Sequence, residues 1–497
     1  MKNFAKLIIA AVAVVMVASL FALTLSAASG NQLVDPNTLK PGSNKVIFIK
    51  DGERDETGKP TGVIEGDGTG SDANNPLKTY DHEDFDPTAT APKWHLQTAF
   101  YQATDLLKNT GGTIVICGPV YFGQYESYGN GASTRDVFTA KFGENTIKIT
   151  SVYDGVDYRE TAGAKITVDS PAEIGVYGQS IWENIDIETA GKRRSISFSN
   201  YATLVGEGVK CYPADPSFEG VATNYISLSA GHRYSGGVDI TTNLVVKSGS
   251  YNFIAAGQWG VNTTRKYAED GVTIKTSNNL DGNTRANLVL EGTTTVYGQV
   301  IGTNVENSEF SGNVNITING GKYECDINMG GTTGFINKDA VVTLKINGGD
   351  FSSCWSVNDA VPGYKNNAPA ISKLDLSGWT GDKLGLANLC NVVTYFTDVV
   401  FPDGVTVDEL AALLSEQTEP AATTSQPENE TKSPENETEK PADSETEAPS
   451  EETDAVSPVE PENDDGMMAV LIAGIGIGLA IAVVAVIVVL VIVKKKK

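Results

Sequence analysis

Single acidic residues on predicted strands are the first candidates for chemistry in this sequence. Enzymes that hydrolyse polysaccharides pair two carboxyl groups, because one must donate a proton while the other acts as base or nucleophile. Here the strand-borne acids are scattered singly along the chain, at Asp186, Asp239, Asp326 and Asp350. The three histidines of the chain have no nucleophile beside them in the sequence. A non-catalytic function is therefore favoured, although acids distant in sequence can converge in a stacked fold.

Tryptophan rings are the second candidates, because a flat ring with one free face can stack against a sugar. Such rings occur singly along the β-rich part of the chain, and each can equally pack in the core. Both alternatives stay open from the sequence. The candidate ligand-binding residues are Trp182, Trp259, Trp355, Asp186 and Asp239.

A glycine-rich loop gives the metal hypothesis. Asp67, Asp72 and Asn74 lie close together there, and Ca²⁺ takes oxygen ligands from such side chains. The loop lacks the spacing of an EF-hand, and the same residue types form ordinary solvated turns. Calcium is therefore a candidate ion at Asp67 and Asp72, and no other cofactor is predicted.

The five cysteines are an odd number, so an exported chain keeps at least one free thiol. Cys325 and Cys354 are 29 positions apart, which is close to the repeat length described next. Two such residues stack above one another in a repeat fold. The sequence leaves open whether they form a disulfide or stay as buried thiols.

An internal repeat indicates the elements that would position these residues. Four similar strand segments begin at Asn243, Asn287, Asn315 and Thr343, with spacings of 44, 28 and 28 residues. The last two continue into Ile-Asn-Gly-Gly-x-aromatic at identical offsets. A period in the twenties with strand–turn–strand content predicts a β-solenoid, in which the 44-residue gap holds one coil plus an insertion. A β-sandwich is the alternative.

Other segments fit the same mainly β interpretation. Ile185–Ile187, Ser195–Phe198 and Val272–Lys275 are predicted strands of further coils, since β-branched and polar residues alternate there. The one clear helix is Lys93–Lys108, whose apolar residues recur every three or four positions and which glycines follow. A strand at Thr113–Cys117 comes directly after it.

The two ends of the chain predict export and membrane anchoring. Residues 1–28 combine a basic start, an apolar run and Ser26-Ala27-Ala28, as in a secretory signal peptide. Residues 466–493 carry no charge and are followed by four lysines at 494–497. A helix of this length spans roughly 40 Å, which is enough to cross a bilayer, and the lysines should remain cytoplasmic. Gly474 and Gly478 have the spacing of a helix-packing motif.

Residues 416–465 predict an extended acidic stalk. The segment is rich in Thr, Pro, Glu and Ser, and its 17 acidic residues against two lysines give a net charge of −15. It therefore accounts for most of the whole-chain charge of −25. Such a composition buries too little apolar surface to fold. The acidity argues against nucleic-acid binding, which needs a basic surface.

Two segments of the chain resemble a known family. The helix and strand within Leu96–Gly118 resemble the N-terminal cap and first strand of pectin-lyase-like right-handed β-helices. Val46–Gly52 and Gly66–Leu77 are similar to the lead-in of surface proteins with this fold from gut-type, clostridial Gram-positive bacteria. The resemblance covers roughly Lys45 to Leu414. It implies a right-handed parallel β-helix at 93–415 with a short capping helix, preceded by a lead-in at 29–92.

These observations predict a single-pass cell-membrane protein with its N-terminal domain extracellular and its C-terminal tail cytoplasmic. No Leu-Pro-x-Thr-Gly sorting signal precedes the apolar segment, so the helix itself is the expected anchor. The expected function is adhesin-like, non-catalytic binding of a glycan or a surface partner. A polysaccharide lyase or glycoside hydrolase acting on acidic glycans, and a structural surface-layer element, are the alternatives.

Overall fold

The computed structural model describes a set of segments in the first part of the chain. The chain divides into two units, Met1–Thr423 and Thr424–Lys497. All described residues belong to the first unit and lie at 34–51, 66–77, 99–122, 138–168, 174–198, 201–231, 241–258, 266–267, 274–275, 279–280, 285–303, 309–310, 312–330, 335–336, 340–359 and 371–418.

Several predicted features lie outside these residues. They are the signal peptide, the membrane helix with Gly474 and Gly478, the lysine tail, and the stalk from position 419 onward. Within the described segments, no helix combines the length and the apolar content that crossing a bilayer requires.

The described residues are mainly β, with few helices. The α-helices are α1 (Ala99–Leu107), α2 (Tyr158–Ala162), α3 (Lys383–Asn391) and α4 (Val407–Thr418). Short 3-10 helices lie at Pro36–Thr38, Pro216–Phe218 and Ala222–Asn224. The strands are β1 (Val46–Ile49), β2 (Gly112–Ile116), β3 (Pro119–Phe122), β4 (Phe138–Thr150), β5 (Val152–Tyr153), β6 (Val156–Asp157), β7 (Lys165–Val168), β8 (Ile174–Glu183), β9 (Asp186–Thr189), β10 (Ser195–Ser197), β11 (Thr203–Val205), β12 (Lys210–Pro213), β13 (Ser227–Gly231), β14 (Thr241–Val246), β15 (Ser250–Gln258), β16 (Lys266–Tyr267), β17 (Ile274–Lys275), β18 (Asn279–Leu280), β19 (Arg285–Leu290), β20 (Thr295–Ile301), β21 (Glu309–Phe310), β22 (Asn313–Ile318), β23 (Lys322–Tyr323), β24 (Asp326–Asn328), β25 (Phe335–Ile336), β26 (Val341–Ile346), β27 (Ser356–Asn358), β28 (Ile371–Asp375), β29 (Val393–Thr394) and β30 (Asp398–Val400).

Nineteen of these strands form one large parallel sheet, and their pairings arrange them in two stacks. The first stack runs through β1, β2, β4, β8, β11, β14, β19, β22, β26, β28 and β30. The second stack runs through β4, β8, β10, β13, β15, β20, β24, β27 and β29, and the short strand β23 also pairs with β20. The long strands β4 and β8 take part in both.

Shorter ladders lie beside these two stacks. A third stack of four parallel strands has the order β12-β9-β7-β3, and β18-β21-β25 form a smaller parallel ladder. Antiparallel pairing in the described segments occurs at β5–β6, at β16–β17 and in an isolated bridge between Asp72 and Asn75. Parallel neighbours need a crossover connection, so the chain visits the stacks in turn.

The predicted repeat is confirmed by the strand register. Asn243 pairs with Asn287, Asn287 with Asn315, and Asn315 with Thr343, as the overlaid segments require. Because β14 pairs directly with β19, the 44-residue gap holds a single turn of the repeat. The prediction that Val272–Lys275 forms a strand of a further coil was wrong. Ile274–Lys275 is a strand, but it pairs antiparallel with Lys266–Tyr267 and joins none of the stacks.

The core follows from alternation along the paired strands. Leu288, Ile316 and Leu344 are register partners that are 1% exposed or less, and they point to the same side of the sheet. Burial of each such side chain contributes about 1.5–3 kcal/mol. Their neighbours Asn287 and Asn315 point to the other side, where Asn315 Nδ2 donates to Asn287 Oδ1 at 3.1 Å. A slip of one residue would exchange these two faces, so the alternation fixes the register.

Helix α1 covers one region of the core. Phe100 is buried, and its ring lies 4.5 Å from that of Phe122 and 6.2 Å from that of Trp182. Gly111 ends the helix in the left-handed region, at a φ of 65°, and donates its N–H to Leu107 O. The described part of the predicted helix Lys93–Lys108 is thus confirmed.

Helices α3 and α4 cover the core near its last strands. Asp382 caps α3 by accepting a hydrogen bond from Gly385 N at 2.6 Å, and Thr406 Oγ1 accepts from Glu409 N at the start of α4. Leu386, Leu389 and Leu410 place the apolar sides of both helices in the core. Helix α4 ends at Thr418, so the first three residues of the predicted stalk, 416–418, are helical and the predicted boundary was placed too early.

Candidate functional site

The third stack carries the densest group of charged and aromatic side chains on an outward surface. Its register places Lys210 opposite Asp186 and Tyr212 opposite Glu188, while Cys211 and Ile187 point into the core between them. Strand β7 pairs with β9 and also with β3, so outward residues of β7 and β3 lie beside those of β9. The outward residues, which we call the polar face, are Tyr121, Lys165, Thr167, Asp186, Glu188, Lys210 and Tyr212.

Glu188 is held at the centre of this face by two neighbours on β7. Lys165 Nζ lies 2.6 Å from Glu188 Oε2, and Thr167 Oγ1 donates to Glu188 Oε1 at 3.0 Å. The glutamate side chain is 16% exposed, so solvent screens this ion pair less than a surface pair. The carboxylate is therefore fixed in position by the sheet and still accessible from outside.

Arg159 contacts the part of the polar face around Asp186. Asp157 precedes α2, accepts from Arg159 N, and pairs with Arg159 Nη2 at 2.5 Å. Arg159 Nη1 donates to Gly208 O at 2.9 Å and lies 3.7 Å from Asp186 Oδ1. The hydrogen bond from Arg159 lowers the pKa of Asp157 and raises the pKa of Arg159 itself. The guanidinium thus joins α2 to the turn before β12.

Asp186 has a different environment from Glu188. Burial raises the pKa of Asp186, and the charges of Lys210 and Arg159 partly oppose that effect. Its buried Oδ1 has no hydrogen-bond partner within the described part of the chain. Asp186 and Glu188 are two positions apart on one strand, which separates them by about 7 Å. The face therefore holds one carboxyl shifted toward its protonated form beside one held in an ion pair.

Tyrosines border this charged centre on both sides. Tyr212 lies on β12 and Tyr121 on β3, at opposite edges of the four-stranded sheet. With a strand spacing of about 4.8 Å, the Cα atoms of these two residues are roughly 14 Å apart. Burial, together with the nearby Asp186 and Glu188 charges, raises the pKa of Tyr212 to about 12. Tyr212 therefore stays a neutral hydrogen-bonding phenol throughout the physiological range.

A separate group of aromatic and acidic side chains lies on the second stack. Glu324 N donates to Val296 O, which places Tyr297 and Glu324 side by side in neighbouring segments. Tyr297 packs on the buried Tyr225 with ring centroids 4.7 Å apart, and burial raises the pKa of Tyr297 to about 12.

The predicted ligand residues lie in different places. Asp186 belongs to the polar face. Trp182 is 1% exposed, packs against Phe100 and Phe198 and donates Nε1–H to Ser180 Oγ, so its ring has no free face for a sugar. Trp355 is 64% exposed, away from the third stack. Trp259 and Asp239 lie outside the described residues.

The other strand-borne acids are held by local hydrogen bonds. Ser356 Oγ donates to Asp326 Oδ1 at 2.6 Å. Asp350 accepts from both the amide and the hydroxyl of Ser352, and these bonds lower the pKa of Asp350. Neither acid lies on the third stack, so Asp326 and Asp350 do not join Asp186 on the polar face.

The carboxylates of Asp67 and Asp72 accept hydrogen bonds from groups of their own loop. Asp72 Oδ1 accepts from the backbone amides of Asn74 and Asn75, and its hydrogen bond from the Asn75 side chain is the main cause of a lowered pKa. Asp67 Oδ1 accepts from Thr69 N and Thr69 Oγ1. In the segments described, no three Asp, Glu, His or Cys side chains form a group that could hold a metal ion. The calcium hypothesis stays a prediction.

Comparison with known proteins gives no assignment for this surface: no family model, no curated protein and no solved structure matches the chain. Sequence reasoning selected only Asp186 of the seven polar-face residues. The strands of the third stack begin 46, 21 and 24 residues apart, so no regular period marks them. The available signal was the repeated alternation of a polar or aromatic residue with an apolar one, as in Lys210-Cys211-Tyr212.

Proposed function

We propose that this chain is a membrane-anchored cell-surface protein whose β domain binds glycans through the polar face without cleaving them. The observation that carries the proposal is the outward row Tyr121, Thr167, Glu188 and Tyr212, with its ion-paired neighbours. Fixed hydrogen-bonding groups between aromatic rings suit sugars, which present hydroxyl groups around an apolar ring face. Positions on strands hold such groups more accurately than loops do.

The proposed architecture is a right-handed parallel β-helix. Its support is that strands of the separate parallel stacks follow one another along the chain, with β19, β20, β21 and then β22 as one complete turn. Right-handedness is the rule for parallel crossover connections. In such a fold the polar face lies on one side of the coil stack, where an extended chain can lie across several strands.

The proposed location follows from the two ends of the sequence. An N-terminal signal peptide at 1–28 exports the β domain, and the apolar segment at 466–493 stops transfer. The acidic segment between them then holds the domain away from the membrane surface. Export is tested by protease treatment of intact cells, which should remove the β domain and leave a lysine-tailed fragment in the membrane fraction.

Glycan binding is tested with the purified full-length chain in detergent. A glycan array identifies ligands, and isothermal titration then gives the Kd of the best one. Tyr212→Ala should weaken binding at least tenfold, because it removes one aromatic border of the site. Tyr395→Ala is the matched control, since Tyr395 is 75% exposed and lies outside the third stack. Absence of any bound glycan, or equal loss in both variants, would overturn the proposal.

One observation favours a second candidate function, glycoside hydrolysis. Asp186 has a raised pKa and Glu188 an ion-paired carboxylate, and their Cα atoms, two positions apart on one strand, are separated by about 7 Å. Carboxyl groups on such positions leave room for the water molecule that an inverting glycosidase activates. The test is release of product from the bound glycans. If product forms and Asp186→Asn abolishes it while binding persists, the domain is a hydrolase. If no bound glycan is cleaved, binding alone is its function.

A further inference from the structure

Cys325 and Cys354 are in contact across neighbouring parallel strand segments. The Cys325 carbonyl oxygen accepts hydrogen bonds from Trp355 N at 3.1 Å and from Cys354 Sγ at 3.2 Å. Earlier in the same segments, Tyr323 N donates to Asp350 O at 2.9 Å. The strand pairing shifts between these two points, since Lys322 lies opposite Asp350 and Asp326 lies opposite Ser356, and both cysteines lie in the irregular stretch between these pairs, where Cys354 Sγ contacts Cys325. The two cysteines therefore belong to successive turns of the repeat.

Their position satisfies the main geometric requirement for a disulfide. Adjacent parallel segments are about 4.8 Å apart and a disulfide spans roughly 4.4–6.8 Å between Cα atoms, so two cysteines in contact across neighbouring segments lie within its reach. Both side chains point into the core, with Cys325 at 0% and Cys354 at 7% exposure. They therefore lie on the same side of their strands with no element between them. Both are thiols in this structure.

The other three cysteines lie on separate elements of the fold. Cys117 follows β2, Cys211 lies on β12 and Cys390 on α3, and none of the three is in register with another cysteine. The chain thus holds one matched pair and three separate thiols. This division accounts for the odd number of cysteines in a chain that is predicted to be exported.

We propose that Cys325 and Cys354 are a disulfide-forming pair that links two successive turns of the β domain in an oxidising compartment. The oxidant is a disulfide of low molecular weight, such as oxidised glutathione. One S–S bond forms between Cys325 and Cys354 while the S–S bond of the oxidant breaks. The two thiol protons and two electrons pass to the oxidant, which leaves as two thiols.

The link forms while the chain folds. Burial raises the pKa of Cys354 to about 12 and raises the pKa of Cys325 well above its ordinary value, so the folded protein contains little of the thiolate that attacks a disulfide. In the unfolded chain both thiols have ordinary reactivity. Once formed, the bond is shielded from reductants by the same burial. The disulfide is therefore a permanent structural link and not a reversible switch.

The first test uses the full-length protein from membranes of cells that export it. The protein is alkylated in denaturant without reductant and digested with trypsin. The expected product is a linked pair of the peptides Tyr323–Lys338 and Ile346–Lys365, which reduction separates. Cys390 should be alkylated in the same sample. Recovery of both peptides in alkylated form, without the linked pair, would overturn the proposal.

The second test measures what the link does. Protein refolded with oxidised glutathione should melt about 4 °C above its reduced form, since the bond closes a loop of about 29 residues in a large domain. Cys354→Ala should abolish this difference, and Cys390→Ala should leave it unchanged. Failure of the refolded wild-type protein to form the linked pair, or an unchanged melting temperature after reduction, would each contradict the proposal.

Discussion

Phe351 connects the interior aromatic rings of the last turns, and its removal tests the stacked core directly. The side chain is 4% exposed. Its ring stacks on Tyr323 at a centroid distance of 4.9 Å and an interplanar angle of 12°, and lies 6.2 Å from the ring of Trp379. Because Tyr323 and Phe351 occupy equivalent repeat positions, this stack depends on the strand register of the repeat.

The expected magnitude follows from burial and ring contact. Phe351→Ala should reduce the free energy of unfolding by about 3–5 kcal/mol, since it opens a cavity between packed rings. Phe351→Leu keeps most of the apolar volume and loses the ring stacking, so its cost should be about 1–1.5 kcal/mol. Trp355→Ala is the aromatic control. Trp355 is 64% exposed, and the variant should stay within about 0.5 kcal/mol of wild type.

Urea unfolding followed by far-UV circular dichroism measures these differences. With a slope of about 3 kcal/mol/M, the upper end of the usual range, Phe351→Ala should lower the midpoint by at least about 1 M. The Leu variant should fall between the Ala variant and wild type. If Phe351→Ala unfolds at the same urea concentration as Trp355→Ala, the Phe351 ring does not lie in a packed core, and successive turns are not stacked in the register that pairs it with Tyr323.

Two further predictions concern a buried acid and a turn glycine. Burial raises the pKa of Asp359, so its charged form destabilises the fold at neutral pH and this penalty disappears as pH falls below the ordinary value of 3.8. Asp359→Asn should therefore raise the melting temperature at pH 7, with the gain vanishing near pH 3; a gain that is equal at both pH values would contradict this. Gly292 and Gly220 both have positive φ, but a Cβ at Gly292 would strike Lys247 O whereas one at Gly220 meets nothing within 4 Å. Gly292→Ala should thus destabilise the domain by more than the ~1 kcal/mol expected for Gly220→Ala in the same urea assay, and equal costs would exclude the steric contact.

The repeat could be predicted from the sequence because its turns are regular where the connections are short. Asn315 and Thr343 begin segments with the same Asn-Gly-Gly turn at the same offset, and the structure pairs them. Ile274–Lys275 resembles the repeat strands in local composition, but it pairs with Lys266–Tyr267 inside the insertion between β15 and β19. A single strand carries no information about its partner, so alternation alone could not separate the two cases.

The site could be predicted only in part, because its residues come from irregularly spaced turns. Asp186 stood out as a lone acid on a strand, whereas Glu188 gains its role from Lys165 and Thr167 on another strand. Trp182 was selected as a ligand candidate but is buried, because the type of a side chain does not reveal which way a strand residue points. The start of helix α4 could have been predicted from Thr406-x-x-Glu409, which has the spacing of a capping box.

The strict register of the strands from β19 to β28 makes the domain adjustable in size. Residues 313–340 form one 28-residue unit whose first strand, β22, pairs in register with β19 before it and β26 after it. Deleting this unit would bring β19 beside β26 with the same alternation of inward and outward residues. Duplicating it would add one layer of about 4.8 Å. Because α1 packs on β1, β2 and β4, such a change leaves that end of the domain unaltered.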